Sequence, residues 1–554
     1  VAFEISYYDS TNAKIGETLS FSIDFKNVVT GEVIDSPADI TAAEGVITLD
    51  ADTVWIVNGN ITASVASIAL GTYNLTIAES AAGGSLVING SDATKNLVTV
   101  GAGEASIVVD GAALTLNGVS NPQSKHLINA YDEASADFTL EGKNGAAITL
   151  AQNNGTSNGT ALNYAHGGQF KFVLDASTLT INGNGGVQVA LVQATNGSSV
   201  NFNVADASLG CYLDVTDSTV KATNINVYSA NVSGKSTVDA TGYLGVFSGS
   251  TDESAYDEMT LAQVEIEAES SVSAGTIYDG MYSTYVNGLG DKSVTFTGEG
   301  SITGAFTNYV RTAESKGTGF TLDGGVVVAG NSSVATGTSV TATDAIIGVD
   351  ASIAMNGTIT ATSLQVLSGA TVSGTGKITG TYQASSEASI SLAEGSAVPG
   401  ELKTSISGNE TEATKQFIEA VNNQIDDITI PSGVTVTVTE DVYIADWMTV
   451  TVEGTLTFGT APATTGAGEY FTNDGKYVVK GTLNIDRDGE NNGLIEIRGG
   501  IINITGAAKI DELKDCSPVF ENNGAIIVYG AATDYSANKN VVINVTNSGL
   551  LSNN

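Results

Sequence analysis

Acidic residues at alternate positions make one short segment the clearest place for metal chemistry. Asp486, Asp488 and Glu490 lie two residues apart, and Glu496 follows in the next strand-like run. Carboxylate oxygens spaced in this way along a loop are the ligands that Ca²⁺ prefers. Gly489 does not stand at the sixth position, where a calcium-binding EF-hand loop has its glycine, so a plain strand-connecting turn also fits. The segment predicts either a calcium site or a solvated turn.

The two cysteines, Cys211 and Cys516, are too few for a disulfide framework. They do not have CxxC spacing, and His126 and His166 lie far from both in sequence, which argues against zinc. In an oxidising compartment the two thiols could bridge each other or a neighbouring subunit, with inert buried thiols as the alternative. Both cysteines are therefore disulfide candidates.

The sequence contains few candidates for catalytic residues. It has no Gly-x-Ser-x-Gly, P-loop or HExxH motif. The acid clusters at 252–258 and 511–515 are typical of solvated turns, and His166 lies in a Gly-rich turn. Enzymes that cleave polysaccharides need converging acids or, for acidic sugars, basic residues. We expect no enzyme and no cofactor, with calcium as the one open alternative.

Asn-x-Ser/Thr sequons are frequent, as expected in a chain rich in Asn, Ser and Thr. Each is a candidate for N-glycosylation if the source glycosylates its exported proteins, although a sequon inside a strand would be inaccessible. The twelve candidates are Asn60, Asn74, Asn89, Asn154, Asn158, Asn196, Asn231, Asn331, Asn356, Asn409, Asn503 and Asn544.

The charge balance limits the classes of partner that this chain could bind. Sixty Asp and Glu against 21 Lys and Arg give a net charge of −39. Such a chain repels nucleic acid and anionic lipid, attracts divalent cations and stays soluble by self-repulsion. No apolar run approaches the roughly 20 residues of a transmembrane helix. A start at Val1 without Met, directly in a strand-like run, predicts an extracellular chain from which a signal peptide has been removed.

The elements that position these residues are predicted to be strands. Apolar residues alternate with polar ones at Phe3, Ile5 and Tyr7, and again from Leu19 to Phe25. Strict alternation predicts strands with one solvated face, so we expect an antiparallel hairpin or sandwich-like cap over residues 1–44. The same strands could instead pair with a neighbouring subunit.

A different pattern begins near residue 45. Short strands end in Asn-Gly or Asp-Gly, as in 86–90, 106–111 and 114–118, and they recur at spacings on the order of 20 residues. Gly can adopt the left-handed conformation that a tight solenoid corner needs. The pattern predicts an irregular β-solenoid over residues 45–408.

One segment departs from the β pattern. Phe417, Ile418, Val421 and Ile425 form a single apolar stripe at helical spacing. We expect a helix over 409–427 that covers the open end of the next solenoid and marks a domain boundary. A second solenoid block is predicted over 428–554, where VEGTLTF at 452–458 and VKGTLNI at 479–485 are near-copies.

The repeats, the capping helix and the run ITIPSGVTVTV resemble β-helical cell-surface proteins of prokaryotes, a group that includes adhesin-like proteins, S-layer subunits and methanogen sheath proteins. The resemblance rests on motifs in residues 409–530 and, in the middle of the chain, only on the general pattern of short strands and turns. It implies an all-β fold of parallel β-helix blocks, with N-terminal antiparallel strands and one short capping helix. It also implies a structural protein that self-assembles as a homopolymer into an envelope layer, sheath or surface filament. The alternatives are an adhesin-type protein that binds cell-wall or surface glycans and, third, a polysaccharide lyase or hydrolase.

Overall fold

The computed structural model divides the chain into two compact units, 1–225 and 226–554. Among the described residues, no helix is both long and apolar enough to cross a membrane. The predicted boundary at 409–427 falls inside the second unit. The structure describes residues 2–8, 14–22, 31–40, 45–119, 126–130, 136–152, 162–164, 169–183, 187, 189–204, 207–246, 263–279, 293–308, 319–459, 471–485, 489–504, 520–522, 525–528, 542–545 and 551–553.

The first unit begins with the predicted antiparallel pair. Strands Ala2–Tyr8 and Lys14–Ser22 form a two-stranded sheet of their own, with Phe3 opposite Phe21. Parallel stacking starts earlier than predicted, because Glu32–Ile34 already pairs in parallel with Thr53–Val65. A three-residue strand is too short to display a repeat, which explains why the sequence pattern became visible only near residue 45.

The rest of the first unit is a parallel β-helix, which confirms the predicted fold class. A short 3₁₀ helix, Pro37–Ile40, follows the first parallel strand. One set of stacked strands is Val46–Thr48, Ser67–Gly71, Val98–Val100, Ile128–Ala130 and Leu162–Tyr164. The others are Glu32–Ile34, Thr53–Val65, Asn74–Gly90, Gly103–Asp110, Ala113–Asn117, Ala136–Lys143, Ala147–Gln152, Phe170–Asp175, Thr178–Gly183, Leu191–Thr195, Ser199–Asn203, Ala207–Thr216 and Thr219–Ser233, the last of which runs past residue 225.

Apolar side chains stack in register from one rung to the next, so the interior is a set of apolar columns. One column contains Leu86, Leu114, Ile148, Leu179, Val200 and Val220, all buried. Stacked polar partners lie between 20 and 34 residues apart along the chain. The corner loops therefore differ in length while the strands keep their register, which explains the irregular period of the sequence.

The second unit continues with parallel strands. Near its middle the rungs become regular, with partners 19 residues apart. Its strands before the helix are Thr237–Val246, Gln263–Ile266, Ser271–Tyr278, Val294–Thr297, Ser301–Thr307, Phe320–Leu322, Val326–Val328, Asn331–Val334, Ser339–Ala342, Ala345–Ile347, Ser352–Met355, Thr358–Ala361, Leu364–Val366, Thr371–Ser373, Lys377–Gly380, Gln383–Ala384, Ser389–Ser391 and Gly400–Glu401.

The predicted helix is present as α1, Glu410–Asn422, and it is shorter than the predicted 409–427. Asn409 caps its N-terminus in a capping box with Glu412. Gln424 adopts a positive φ of 51°, which turns the chain, and a strand begins at Asp427. Ile425 is buried, as the apolar stripe predicts, but it packs from the turn after the helix.

Three parallel sheets form the last block, which begins with one strand before α1, and the two near-copies in the sequence lie directly side by side, with Thr455 opposite Thr482. The first sheet contains Lys403–Ser405, Asp427–Ile430, Thr449–Val452, Lys476–Val479, Leu494–Ile497 and Ala525–Val528. The second contains Thr435–Val438, Thr455–Phe458, Thr482–Ile485, Ile501–Ile504 and Val542–Val545. The third contains Val442–Ile444, Phe471–Asn473, Gly489–Asn491, Phe520–Asn522 and Leu551–Asn553.

The glycine of each near-copy lies at a corner where the preceding rung comes very close. A Cβ atom on Gly481 would collide with the carbonyl oxygens of Gly454 and Glu453. A Cβ atom on Gly454 or Gly500 would likewise collide with backbone carbonyl oxygens. The two near-copies therefore share a close approach of successive rungs at this glycine, as well as the same strand pattern.

Candidate functional site

The predicted calcium segment is only partly within the described residues. Asp486 and Asp488 lie outside them, and Glu490 belongs to strand Gly489–Asn491, with its side chain outside what the structure describes. Glu496 forms ion pairs with two cations, Lys476 at 3.2 Å and Arg498 at 2.8 Å. In the part of the chain that is described, no three His, Cys, Asp or Glu side chains cluster in a way that could hold a metal ion.

The environment of Glu496 explains its ionisation. Its side chain is only 7% exposed, and desolvation on its own would raise the pKa of its carboxyl group. Hydrogen bonds from Arg498 and Lys476 together outweigh that effect, so the pKa is below the usual value. Glu496 is thus an anion held by two partly exposed cations, and a calcium ion would have to compete with both.

The other predicted reactive residues are not brought together by the described structure. Cys211 lies in strand Ala207–Thr216, with its side chain outside the described set, and Cys516 lies outside the described residues. His166 and the acid clusters at 252–258 and 511–515 are also outside them. The backbone N–H of His126 donates a hydrogen bond to Asn96 at 2.8 Å, which fixes the start of a rung.

The glycosylation candidates fall into three groups. Asn154 and Asn158 lie outside the described residues, and Asn544 is described only in its backbone. Asn89, Asn409 and Asn503 are engaged in hydrogen bonds to a neighbouring rung or to the helix cap. The remaining candidates, listed last, are exposed like Asn409, and four of them also hydrogen-bond to a neighbouring rung: Asn60, Asn74, Asn196 and Asn356 do so, while Asn231 and Asn331 complete the group.

Buried asparagines form a ladder that the sequence analysis missed. Asn473 and Asn491 occupy the same position in successive rungs, both are fully buried, and the Nδ2 of Asn473 donates to the Oδ1 of Asn491 at 2.6 Å. The backbone register continues this position to Asn522 and Asn553. The sequence did carry a signal, since each asparagine is the third residue of a three-residue strand.

Other polar ladders link neighbouring rungs. Asn503 donates to Asn484 at 2.7 Å, and Asn484 donates to Thr457 at 3.0 Å. In the first unit the hydroxyls of the buried Ser198 and Ser218 each accept a hydrogen bond from the backbone of the preceding rung. These side chains thus hydrogen-bond from one rung to the next, and the Ser198 hydroxyl also donates to the Thr195 carbonyl within its own rung.

Helix α1 covers one open sheet edge at the start of the last block. Strand Thr435–Val438 is the first of its sheet, so one of its edges has no strand partner among the described residues. The Thr414 hydroxyl accepts the backbone N–H of Thr437 at 3.0 Å, and the Thr437 hydroxyl donates to Glu410 at 2.6 Å. The predicted capping role of the helix has this structural basis.

The rung before α1 leaves a groove of about 540 Å³, which we call the junction groove, between residues 382–401 and Asp426. Ile390 is the last member of an interior column that runs through Ile353 and Val372. Ile353 and Val372 are buried, whereas Ile390 is half-buried and faces the groove. The end of this apolar column is thus exposed at the groove floor.

The walls of the junction groove are fixed by hydrogen bonds. The Asp426 carboxylate accepts from the Ser385 hydroxyl at 2.6 Å and from the Ser386 backbone N–H at 2.7 Å. The buried Tyr382 hydroxyl donates to the Ala397 carbonyl at 3.2 Å, and burial raises the pKa of that hydroxyl. Val398 remains 89% exposed beside it. The groove is therefore preformed, with an apolar side chain presented at its mouth.

Acidic groups surround the junction groove. Of its described lining side chains, Glu401 and Asp426 are charged and both are carboxylates. Desolvation raises the pKa of neighbouring Asp427, and repulsion from Glu401 and Asp426 raises it further. Lys403 approaches Glu401 only to 3.9 Å, with both side chains largely exposed, so it neutralises little of this charge. The site can attract a cation or a cationic chain.

Comparison with known proteins gives no information on function, so the fold remains the main evidence for it. No protein-family model, no curated protein and no solved structure matches this chain. The parallel β-helix therefore stands on the strand register of the chain itself, and the resemblance to prokaryotic surface proteins stays a prediction based on residues 409–530.

Proposed function

We propose that this chain is an extracellular structural protein that self-assembles into a cell-envelope layer, a sheath or a surface filament. In this proposal it is not an enzyme, and its main partner is another copy of itself. The observation that carries the proposal is that polar side chains at equivalent positions of successive rungs hydrogen-bond to each other. Asn473 bonds to Asn491 in this way, and Asn503 bonds to Asn484. Such ladders favour a rigid scaffold.

The net charge sets a condition on assembly. At −39 per chain, two copies repel each other at low ionic strength, and this repulsion falls when salt screens the charge or divalent cations bind. We therefore expect assembly to depend on the ionic medium, whether or not a specific calcium site exists.

The test is whether the 554-residue chain assembles in solution. Purified protein is dialysed into calcium-containing buffer or into EDTA, then followed by sedimentation velocity and negative-stain electron microscopy. Regular polymers that form with calcium or at high salt are expected. A single monomeric boundary at high protein concentration, in calcium and across the salt series, would overturn the proposal.

A matched pair of samples separates covalent from non-covalent assembly. The Cys211→Ser/Cys516→Ser double variant is compared with the natural chain on non-reducing gels and by microscopy. Loss of polymers only in the variant would assign assembly to disulfide bridges. Polymers of equal regularity in both would assign it to surface contacts.

A further inference from the structure

The junction groove has an open strand edge beside its exposed apolar floor. Strand Ser389–Ser391 pairs on one side with Thr371–Ser373, and the Ser389 N–H donates to the Ala370 carbonyl at 2.8 Å. In a parallel pair, successive residues point their backbone groups to opposite sides. The N–H and C=O of Ile390 therefore point away from Thr371–Ser373, and no described strand pairs with them.

The rung before Ser389–Ser391 is covered at two of its strands. Its strand Thr371–Ser373 pairs with Ser389–Ser391, and its strand Lys377–Gly380 is followed by residues 393–397, with Ala393 donating to Gly376 at 3.1 Å and Ala397 donating to Ile378 at 2.8 Å. On the other side of the junction, α1 covers Thr435–Val438. Among the described strands, Ser389–Ser391 thus combines an unpaired edge with the partly exposed end of an interior column, at Ile390.

We propose that the junction groove binds an extended, cationic peptide segment of another protein, which adds as a strand along Ser389–Ser391. The backbone of the segment would hydrogen-bond to Ile390, as in other β-strand additions, and one apolar side chain would cover Ile390 next to Val398. Basic side chains at the alternate positions would face Glu401 and Asp426. Charge complementarity selects this occupant, because the described lining contains these two carboxylates and no Lys or Arg.

A second copy of this chain is the less suitable occupant. It would bring a net charge of −39 towards an acidic groove, and only 21 of its 554 residues are Lys or Arg. The docking site is therefore separate from the contacts that the self-assembly proposal needs, and either proposal can fail without the other.

The experiment measures fluorescence anisotropy of labelled eight-residue peptides with the full chain. The basic probe alternates Val and Lys, the acidic probe alternates Val and Glu, and a third probe is the basic one N-methylated at every second residue. We expect the basic probe to bind and the acidic probe to bind at least about tenfold more weakly. N-methylation along the bonding edge removes the strand hydrogen bonds, so that probe should also lose about tenfold or more. Equal binding of the methylated and unmethylated basic probes would overturn the proposal.

Variants locate the binding on the chain. Glu401→Lys should weaken the basic probe about fivefold or more, since it replaces an attraction by a repulsion. Val398→Ser should weaken it about threefold through lost apolar contact. Glu32→Lys is the control, because it makes the same charge change at an exposed residue outside the groove. Equal weakening by Glu32→Lys and Glu401→Lys would show non-specific charge attraction and overturn the site.

A competition experiment tests the choice of occupant. The unlabelled competitor is the Glu401→Lys chain, whose own groove should bind the probe weakly. If that chain in calcium displaced the basic probe from the natural chain, a second copy would be the occupant and the assignment to another protein would be wrong. Circular dichroism and thermal melting of each variant establish that it is folded, so that lost binding reports on the groove.

Discussion

Asn473 donates a 2.6 Å hydrogen bond to Asn491 in the interior of the last block, and both residues have no exposed surface. The two residues occupy the same position in successive rungs. A polar atom left without a hydrogen bond in such an interior is costly; the Nδ2 of Asn473 is paired, whereas its Oδ1 has no partner among the described residues. The ladder favours the observed register, since a one-residue slip would place Asn473 beside Glu490 or Asn492 and break its bond to Asn491.

Replacing Asn491 by Ala should destabilise the second unit. The change removes the acceptor of Asn473 and leaves a small void, and we expect the free energy of unfolding to fall by about 2–3 kcal/mol. Urea unfolding followed by circular dichroism measures it. Asn492→Ala is the control, because Asn492 is exposed and its side chain donates to the Asp474 carboxylate, so its change should stay within about 0.5 kcal/mol. Equal losses in the two variants would contradict the buried ladder.

A glycine pair tests the close approach of rungs at the repeat. Gly481→Ala places a Cβ against the carbonyl oxygens of Gly454 and Glu453, and backbone atoms cannot rotate away as a side chain can. We expect a loss of about 1–3 kcal/mol in the free energy of unfolding. Gly459→Ala, where nothing lies within 4 Å of the added Cβ, should be neutral or slightly stabilising. A neutral Gly481→Ala would show that the corner has room to relax.

The pattern of strands and repeats predicted the fold class because alternation and register are local properties of the sequence. Helix α1 was predicted too long, since its apolar stripe continues to Ile425 although the positive φ of Gln424 ends it. The asparagine ladder was missed because a buried Asn at the end of a short strand looks like a turn residue until its partner is known. The junction groove exists only through the meeting of residues 382–401 with Asp426, distant in sequence, so no local pattern could predict it.

The ion pairs of Glu496 should make part of the stability depend on pH. Its folded pKa is below the usual 4.5, so the unfolded chain binds more protons between these two values. The contribution is complete above 4.5 and is lost as the pH falls through the lower folded pKa. We expect Glu496→Gln to cost about 1–3 kcal/mol at pH 7, and the difference from the natural chain to shrink at pH 3.

Two comparisons make the Glu496 measurement specific. Glu453→Gln breaks the more exposed pair with Lys480 at 3.0 Å and should cost about 0–1 kcal/mol. Melting in calcium and in EDTA separates cation binding from ion pairing. A difference between the natural chain and Glu496→Gln that appears only in calcium would favour the calcium site over the ion pairs.

Two buried tyrosines make a matched pair for hydrogen bonding. The Tyr477 hydroxyl is fully buried and has no hydrogen-bond partner among the described residues, and burial raises its pKa well above the usual value. Tyr477→Phe should leave the free energy of unfolding unchanged or raise it by about 1 kcal/mol, because a desolvated hydroxyl is removed. Tyr382→Phe removes the bond to Ala397 and should cost about 0.5–1.5 kcal/mol. A large loss for Tyr477→Phe would indicate a bound water at its hydroxyl.

The capping helix links stability to protection of a sheet edge. Asn409 accepts hydrogen bonds from the N–H groups of Thr411 and Glu412, each at 3.1 Å, and Asn409→Ala should cost about 1 kcal/mol. Asn409→Ser keeps a capping oxygen and should cost much less. Loosening α1 also exposes the edge of Thr435–Val438, so Asn409→Ala should raise the rate of aggregation below the melting temperature, measured by light scattering. Equal aggregation rates for the Ala and Ser variants, with the stability difference present, would mean that α1 does not protect this edge.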